Sequence, residues 1–137
     1  MLEALNLEGK VIIVTGGGTG LGREMALHLA AAGADLALAA RRPGPLEDVA
    51  AEVEALGRRA LPIPTDITDS AQVNRMVEST LQSLGRVDVL VNNAGQPNEA
   101  LKPIWEVSDA EWHAGLDANL TGAFYCSRAV AQSMIQR

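Results

Sequence analysis

Cysteine is almost absent from this chain. Cys126 is the only one in 137 residues, which excludes an intrachain disulfide framework and fits a reducing compartment. Histidine is nearly as scarce. His28 and His113 stand far apart with no metal-ligand spacing, so both are expected at the surface or in packing. Aromatic residues make up 3%, so the core has to be aliphatic. Cations are outnumbered, 11 Lys and Arg against 17 Asp and Glu, giving a net charge of −6. That balance argues against nucleic acid and anionic membranes as partners. No run reaches the ~18 unbroken apolar residues of a membrane span. The start, Met1 to Lys10, carries no cationic leader followed by a long apolar stretch, so a signal peptide is not expected and a cytoplasmic setting is.

What the chain does have is an ordinary globular balance, 47% hydrophobic and 20% charged, and 13 glycines. One domain is expected, with ~68–70% of its unfolded surface buried at this size. The glycines cluster at Gly16, Gly17, Gly18, Gly20 and Gly22, where the apolar strand Val11 to Val14 gives way to a helical pattern near Leu21. Glycine at such a turn lets backbone approach a ligand closely. The following helix aims free N–H groups and its positive dipole end at the same place, favouring an anion by up to ~2 kcal/mol. A pyrophosphate is the expected occupant. The spacing excludes two common loops. Leu21 stands where a strict G-x-G-x-x-G needs its last glycine. Gly17 and Gly22 have the spacing of a nucleotide-hydrolase loop, but Arg23 and Glu24 replace its Lys and Ser/Thr. The remaining pattern, Thr15-Gly16-x-x-x-Gly20-x-Gly22, includes Thr19 and Leu21 among the loop residues expected at the ligand.

Strands and helices alternate along the chain. Strands are expected at residues 10–15, 35–40, 60–64 and 87–91. The first helix should bury Leu21, Met25 and Leu29 and stop at Gly33. The second should run from about Pro45 to Gly57. Asp69 and Gln72 read as a capping box for the third, whose stripe is Val73, Met76, Val77, Leu81 and Leu84, closed by Gly85. A loop is expected from Asn92 to Val107. Ser108 and Glu111 read as a second capping box, opening a last helix with no stop signal before Arg137. Alternating β and α units imply a doubly wound parallel α/β sheet of Rossmann type, in the order 3-2-1-4, with helices on both faces.

The loop pattern resembles the cofactor loop of short-chain dehydrogenases/reductases, and further anchors follow in order. Asp66-Ile67 ends the third strand; in that family this Asp accepts from the adenine amino group, and a carboxylate is chemically suited to that edge. Asn92-Asn93-Ala94-Gly95 follows the fourth strand; the resemblance places Asn93, Ala94 and Gly95 beside the cofactor, with Asn93 also tying the sheet together. The segment Asp117 to Phe124 resembles the family's fourth helix. Its Asn119 corresponds to the first member of an Asn-Ser-Tyr-Lys catalytic tetrad, where it orients a water in a proton relay. Read without the resemblance, Asp66 is a loop carboxylate, Asn92 to Gly95 a turn, and Asn119 part of a kink at Gly122.

An NAD-specific site places an acidic residue ~20 positions after the loop. Here Ala40 stands there, followed by Arg41 and Arg42, which can clamp a 2′-phosphate. NADP(H) is therefore expected over NAD(H), against the alternative that both arginines are solvated loop charges. The other candidates are structural: Cys126 is expected in the core, and Trp105 and Trp112 are expected to pack the substrate-side loop and its helix.

The resemblance spans about Gly9 to Arg128, the family's N-terminal half. It implies a parent enzyme that passes a hydride between a nicotinamide and the carbonyl or alcohol carbon of a small-molecule substrate, assembled as a homodimer or homotetramer. The general character is similar to 3-oxoacyl-carrier-protein reductases and to sugar or alcohol dehydrogenases, and the loop is also similar to that of dienoyl-CoA reductases. The family's Tyr-x-x-x-Lys is not found: Tyr125 is the only tyrosine, and Ala129 follows four residues on. Residues 1–137 are thus expected to form an incomplete dinucleotide-binding domain, inactive alone. A dinucleotide-binding sensor and a structural pseudo-enzyme subunit are the alternatives.

Overall fold

The computed structural model describes residues 6–96 and 102–137. Four parallel strands form one sheet in the order β3-β2-β1-β4: β1 (Val11–Thr15), β2 (Asp35–Ala40), β3 (Ala60–Pro64) and β4 (Val89–Val91). β1 is central, pairing Ile13 with Ala37 on one side and with Leu90 on the other. Helices α1 (Gly20–Ala31), α2 (Pro43–Ala55) and α3 (Ser70–Leu84) provide the crossovers. Helices α4 (Asp109–Leu116) and α5 (Gly122–Ile135) follow β4, joined by a wide turn at Asp117–Thr121. None of the described helices is long and apolar enough to cross a membrane.

The two-residue period of the strands sorts the core into two layers. Val11, Ile13, Ala37 and Ala39 face α3 and α5, meeting Val73, Met76, Val77, Cys126 and Val130. Ile12, Val14, Leu36 and Leu38 face α1 and α2, meeting Ala26, Ala30, Leu46, Val49 and Val53. The large members are aliphatic, as the shortage of aromatics requires. Burial pushes the Cys126 thiol up to about 11, so it behaves as a small core residue.

Several local expectations change. α1 buries Gly22, Ala26 and Ala30, and leaves Leu21 76% exposed. Small residues on that stripe let the helix lie close to the sheet, whereas the larger Leu21, Met25 and Leu29 are carried to its flanks. α2 begins at Pro43 rather than Pro45, because proline fits the first turn at either position. Asp69 caps α3 by accepting from the N–H groups of Ala71 and Gln72. Gln72 does not complete the box; its Oε1 accepts from the Asp66 N–H at 2.9 Å instead. The ladder of β4 begins only at Val89, although Val87 is fully buried. The Ser108–Glu111 capping box is present. The last helix runs without a break from Asp109 to Ile135, but widens at Asp117–Thr121 into the turn described below. Trp105 and Trp112 are exposed, 81% and 57%, rather than packed. The loop after β4 is described at Asn92 to Gln96 and from Lys102 onward; residues 97–101 lie outside the described residues.

Candidate cofactor site

All four strands point their C-terminal ends at one edge of the sheet. The chain leaves β1 toward β2 on one side and reaches β4 on the other, so a crevice opens where the strand order reverses. Ligands of open α/β sheets bind at such a point. The loops that meet there begin at Gly16, Arg41, Thr65 and Asn92.

The glycine loop is built from close approaches. Gly16 takes a φ of 66°, a left-handed conformation that glycine adopts readily. The N–H of Gly16 donates to the Ala39 carbonyl at 2.7 Å, anchoring the loop on β2. A Cβ on Gly22 would lie 1.9 Å from the Gly16 oxygen, and one on Gly18 would lie 3.2 Å from Pro45 Cβ. Gly20, with a φ of 54°, faces open space. Thr19 is the N-cap of α1, yet its side chain makes no capping bond, and no acidic residue stands in the first turn. The helix start therefore keeps its orphan donors and its positive dipole end for an external anion. A cradle of this shape, closed to side chains and open at an uncapped helix start, fits a dinucleotide pyrophosphate.

Thr15 and Asn93 lock β1 to β4 beneath the loop. Thr15, 1% exposed, accepts at Oγ1 from the N–H of Asn93 (3.1 Å) and of Ala94 (3.0 Å), and donates to the Val91 carbonyl (3.3 Å). Asn93 Nδ2 donates to the carbonyls of Thr15 (3.1 Å) and Gly16 (3.3 Å). The expectation that Asn93 ties the sheet together thus has specific bonds behind it. Sequence reasoning passed over Thr15, although its place at the head of the loop pattern was a usable signal. Asn92 turns the other way, donating to Ser127 Oγ on α5 at 3.1 Å.

Asp66 is half-buried at the end of β3. Its Oδ1 accepts from the N–H and the hydroxyl of Thr68, at 2.9 and 2.7 Å, and Gln72 holds its own N–H. Only one carboxylate oxygen is engaged in this turn, and the second has no bond among the described residues. Gln72 is a second bracing residue that the sequence reading assigned to another task.

Asn119 lies inside the wide turn between α4 and α5. There the N–H of Gly122 reaches back five residues to the Asp117 carbonyl. Such turns occur often at functional sites. Asn119 Nδ2 donates to the carbonyls of Gly115 (3.0 Å) and Gln96 (3.4 Å). Its Oδ1 lies 2.5 Å from the place a Cβ on Gly95 would take. The structure therefore brings Asn119, Gly95, Ala94, Asn93 and the glycine loop to one edge. Arg41 and Arg42 stand at the end of β2, exposed, with no ion pair among the described residues. Tyr125 does not join the site; it packs against the core from α5.

A doubly wound sheet with a glycine cradle at its reversal point defines a dinucleotide-binding fold of Rossmann type. The short chain dehydrogenase family model matches residues 10–137, and the chain belongs to that family. It is 41% identical, over 98% of its length, to a short chain dehydrogenase/reductase of Aspergillus oryzae, of which it covers 52%. It is 36% identical, over 96% of its length, to an L-rhamnose 1-dehydrogenase (NAD(P)(+)) of a Sphingomonas strain, of which it covers 51%. The crystal structure of a short-chain type dehydrogenase/reductase from Mycobacterium marinum superimposes with a TM-score of 0.93 at 36% identity, covering 98% of this chain and 54% of that one. The chain spans about half the length of the curated relatives it matches.

Proposed function

We propose that residues 1–137 form the cofactor-binding half of an oxidoreductase that reduces a ketone or oxidises an alcohol. The observation that carries this reading is the meeting of Asn119 with the glycine cradle at one sheet edge. A nicotinamide dinucleotide, when bound, supplies or accepts the hydride. The chain's own residues do the rest of the binding. The loop from Gly16 to Gly22 and the open start of α1 receive the pyrophosphate. Asp66 would accept from the adenine amino group, with its neighbour Ile67 among the residues on the adenine side. Asn93, Ala94 and Gly95 leave flat space at the end of β4, and Asn119 orients a water for proton relay.

NADP(H) is the preferred cofactor in this reading. Ala40 offers no carboxylate to repel a 2′-phosphate, and Arg41 and Arg42 stand free to clamp one. The substrate class is a 3-oxoacyl thioester, a sugar or a simple alcohol. Reduction of a conjugated C=C bond is the alternative that the Gly17-Gly18-Thr19 loop suggests. The parent protein works in the cytoplasm as a homodimer or homotetramer, a reading supported by the exposed apolar side chains Trp112, Leu120 and Phe124 on α4, the wide turn and α5.

The 137-residue chain alone carries no tyrosine–lysine pair. Tyr125 packs into the core and Ala129 follows it, so neither can move the proton that accompanies the hydride, a contribution of ~10²–10⁴-fold. The test is an assay of NADPH oxidation over a panel of ketones and 3-oxoacyl thioesters. The chain of 137 residues is expected to bind the cofactor and show no turnover. Turnover at ordinary dehydrogenase rates would overturn the division of labour proposed here.

A further inference from the structure

Two glycines bracket the wide turn that carries Asn119. On one side, Gly95 leaves room for Asn119 Oδ1, which a Cβ would meet at 2.5 Å. On the other, a Cβ on Gly122 would lie 2.6 Å from Ile67 Cδ1, 2.8 Å from Ile67 Cγ1 and 3.2 Å from the Ile67 carbonyl oxygen. The turn is thus held between the loop after β4 and the loop after β3. Ile67 has little room to retreat, because it packs against the core layer under α3 and α5. Its neighbour Asp66 is pinned by Gln72 on the N–H and by Thr68 on the carboxylate. Gly122 itself closes the wide turn through its N–H bond to the Asp117 carbonyl. A displacement at Gly122 is therefore shared between Asp66–Ile67 and Asn119.

We propose that Gly122 is a positioning residue whose missing side chain couples the adenine-side loop to Asn119. The proposal rests on the roles given above to Asp66 and Asn119. Helix propensity alone favours alanine at this position, so the close approach to Ile67 is the physical reason for glycine. Any Cβ drives the Ile67 loop outward or the wide turn backward. The first displaces the Asp66 acceptor, and the second displaces the Asn119 amide.

The test titrates adenosine 5′-monophosphate into the full chain by calorimetry and follows the Asn119 side-chain amide by ¹⁵N NMR. Gly122→Ala is expected to weaken the nucleotide by roughly tenfold, the scale of an overpacked contact, and to move the Asn119 resonance. Adding Ile67→Ala is expected to return the Asn119 resonance to its wild-type position, which a general loss of stability would not do. Unchanged affinity and an unmoved resonance in folded Gly122→Ala overturn the coupling alone. A wild-type protein that fails to bind the nucleotide overturns the Asp66 assignment and the coupling together. Should Gly122→Ala not fold, the double variant decides: it has to fold and show the wild-type Asn119 resonance, and its failure refutes the proposal.

Discussion

Gly22 and Gly16 touch so closely that a single added carbon has no place between them: a Cβ on Gly22 would lie 1.9 Å from the Gly16 carbonyl oxygen and 2.7 Å from Asn93 Nδ2. Helix α1 is pressed onto the strand end that precedes it. Gly22→Ala must therefore move backbone rather than a flexible side-chain tip. Its expected cost is at the upper end of the ~1–3 kcal/mol typical of overpacking. Thermal unfolding should show a lower Tm, and cofactor titration a weaker or absent isotherm. A variant with wild-type Tm and affinity contradicts this packing.

Thr15 offers a sharper test of the same region. Its hydroxyl accepts from two backbone N–H groups, those of Asn93 and Ala94. Thr15→Val keeps the shape and leaves the Ala94 N–H without a partner, while the Asn93 N–H keeps the Val91 carbonyl at 3.0 Å; the expected cost is ~1–3 kcal/mol for the one group left unsatisfied. Thr15→Ser keeps the hydroxyl and should lose far less. Denaturant unfolding of the two variants checks this. Equal destabilisation by Val and Ser would assign the role to packing instead.

Asp88 makes the fold acid-sensitive. Burial pushes its carboxyl up, but hydrogen bonds from Arg86, the Val11 N–H and Arg137 outweigh that and hold it at about 2. Asp35 is also held below the carboxylate range: burial raises it, and bonds from the Arg59 N–H and side chain, with the Arg58 charge, prevail. A lowered pKa stabilises the fold above the unfolded value of ~3.9 and loses that contribution as pH falls toward 2. Stability should thus drop between about pH 4 and 2, and Asp88→Asn should flatten that slope while lowering stability at pH 7. A pH profile with the same slope in both proteins refutes the assignment.

The proposed preference for NADP(H) puts the cofactor's phosphate state on Arg41. Replacing Arg41 by Ala should weaken NADP(H) by ~1.5–3 kcal/mol, the range for a hydrogen bond to a charged group, with NAD(H) little changed. Isothermal titration with both cofactors measures the difference. Equal losses for the two would remove Arg41 from the 2′-phosphate site.

The sheet order and the positions of most helices were legible because they depend on local signals. Apolar β runs, glycine stops and capping residues fall within a few positions of each other. The glycine-rich stretch from Gly16 to Gly22, Asp66 and Asn93 stood out in the sequence for the same reason, since they fall at or just beyond the ends of strands, in the loops or the helix start that follow them. What was hidden depends on contacts between distant segments. Nothing near Gln72 in the sequence says that it reaches back to the Asp66 N–H instead of closing a capping box. The burial of Gly22, Ala26 and Ala30 over larger neighbours follows from how closely α1 lies to the sheet, which no periodicity count contains. The wide turn at Asp117–Thr121 follows from Gly95 and Gly122 meeting residues 24 and 55 positions away in the chain, Asn119 and Ile67 respectively.

The central claim is that these residues build a dinucleotide site with a preference for the 2′-phosphate. Parallel calorimetric titrations of NADPH and NADH into the purified protein test it most directly. Binding of both, tighter for NADPH, and competition by adenosine 5′-monophosphate are the expected results. Binding of neither would contradict the site itself, and tighter binding of NADH would contradict the role given to Ala40, Arg41 and Arg42.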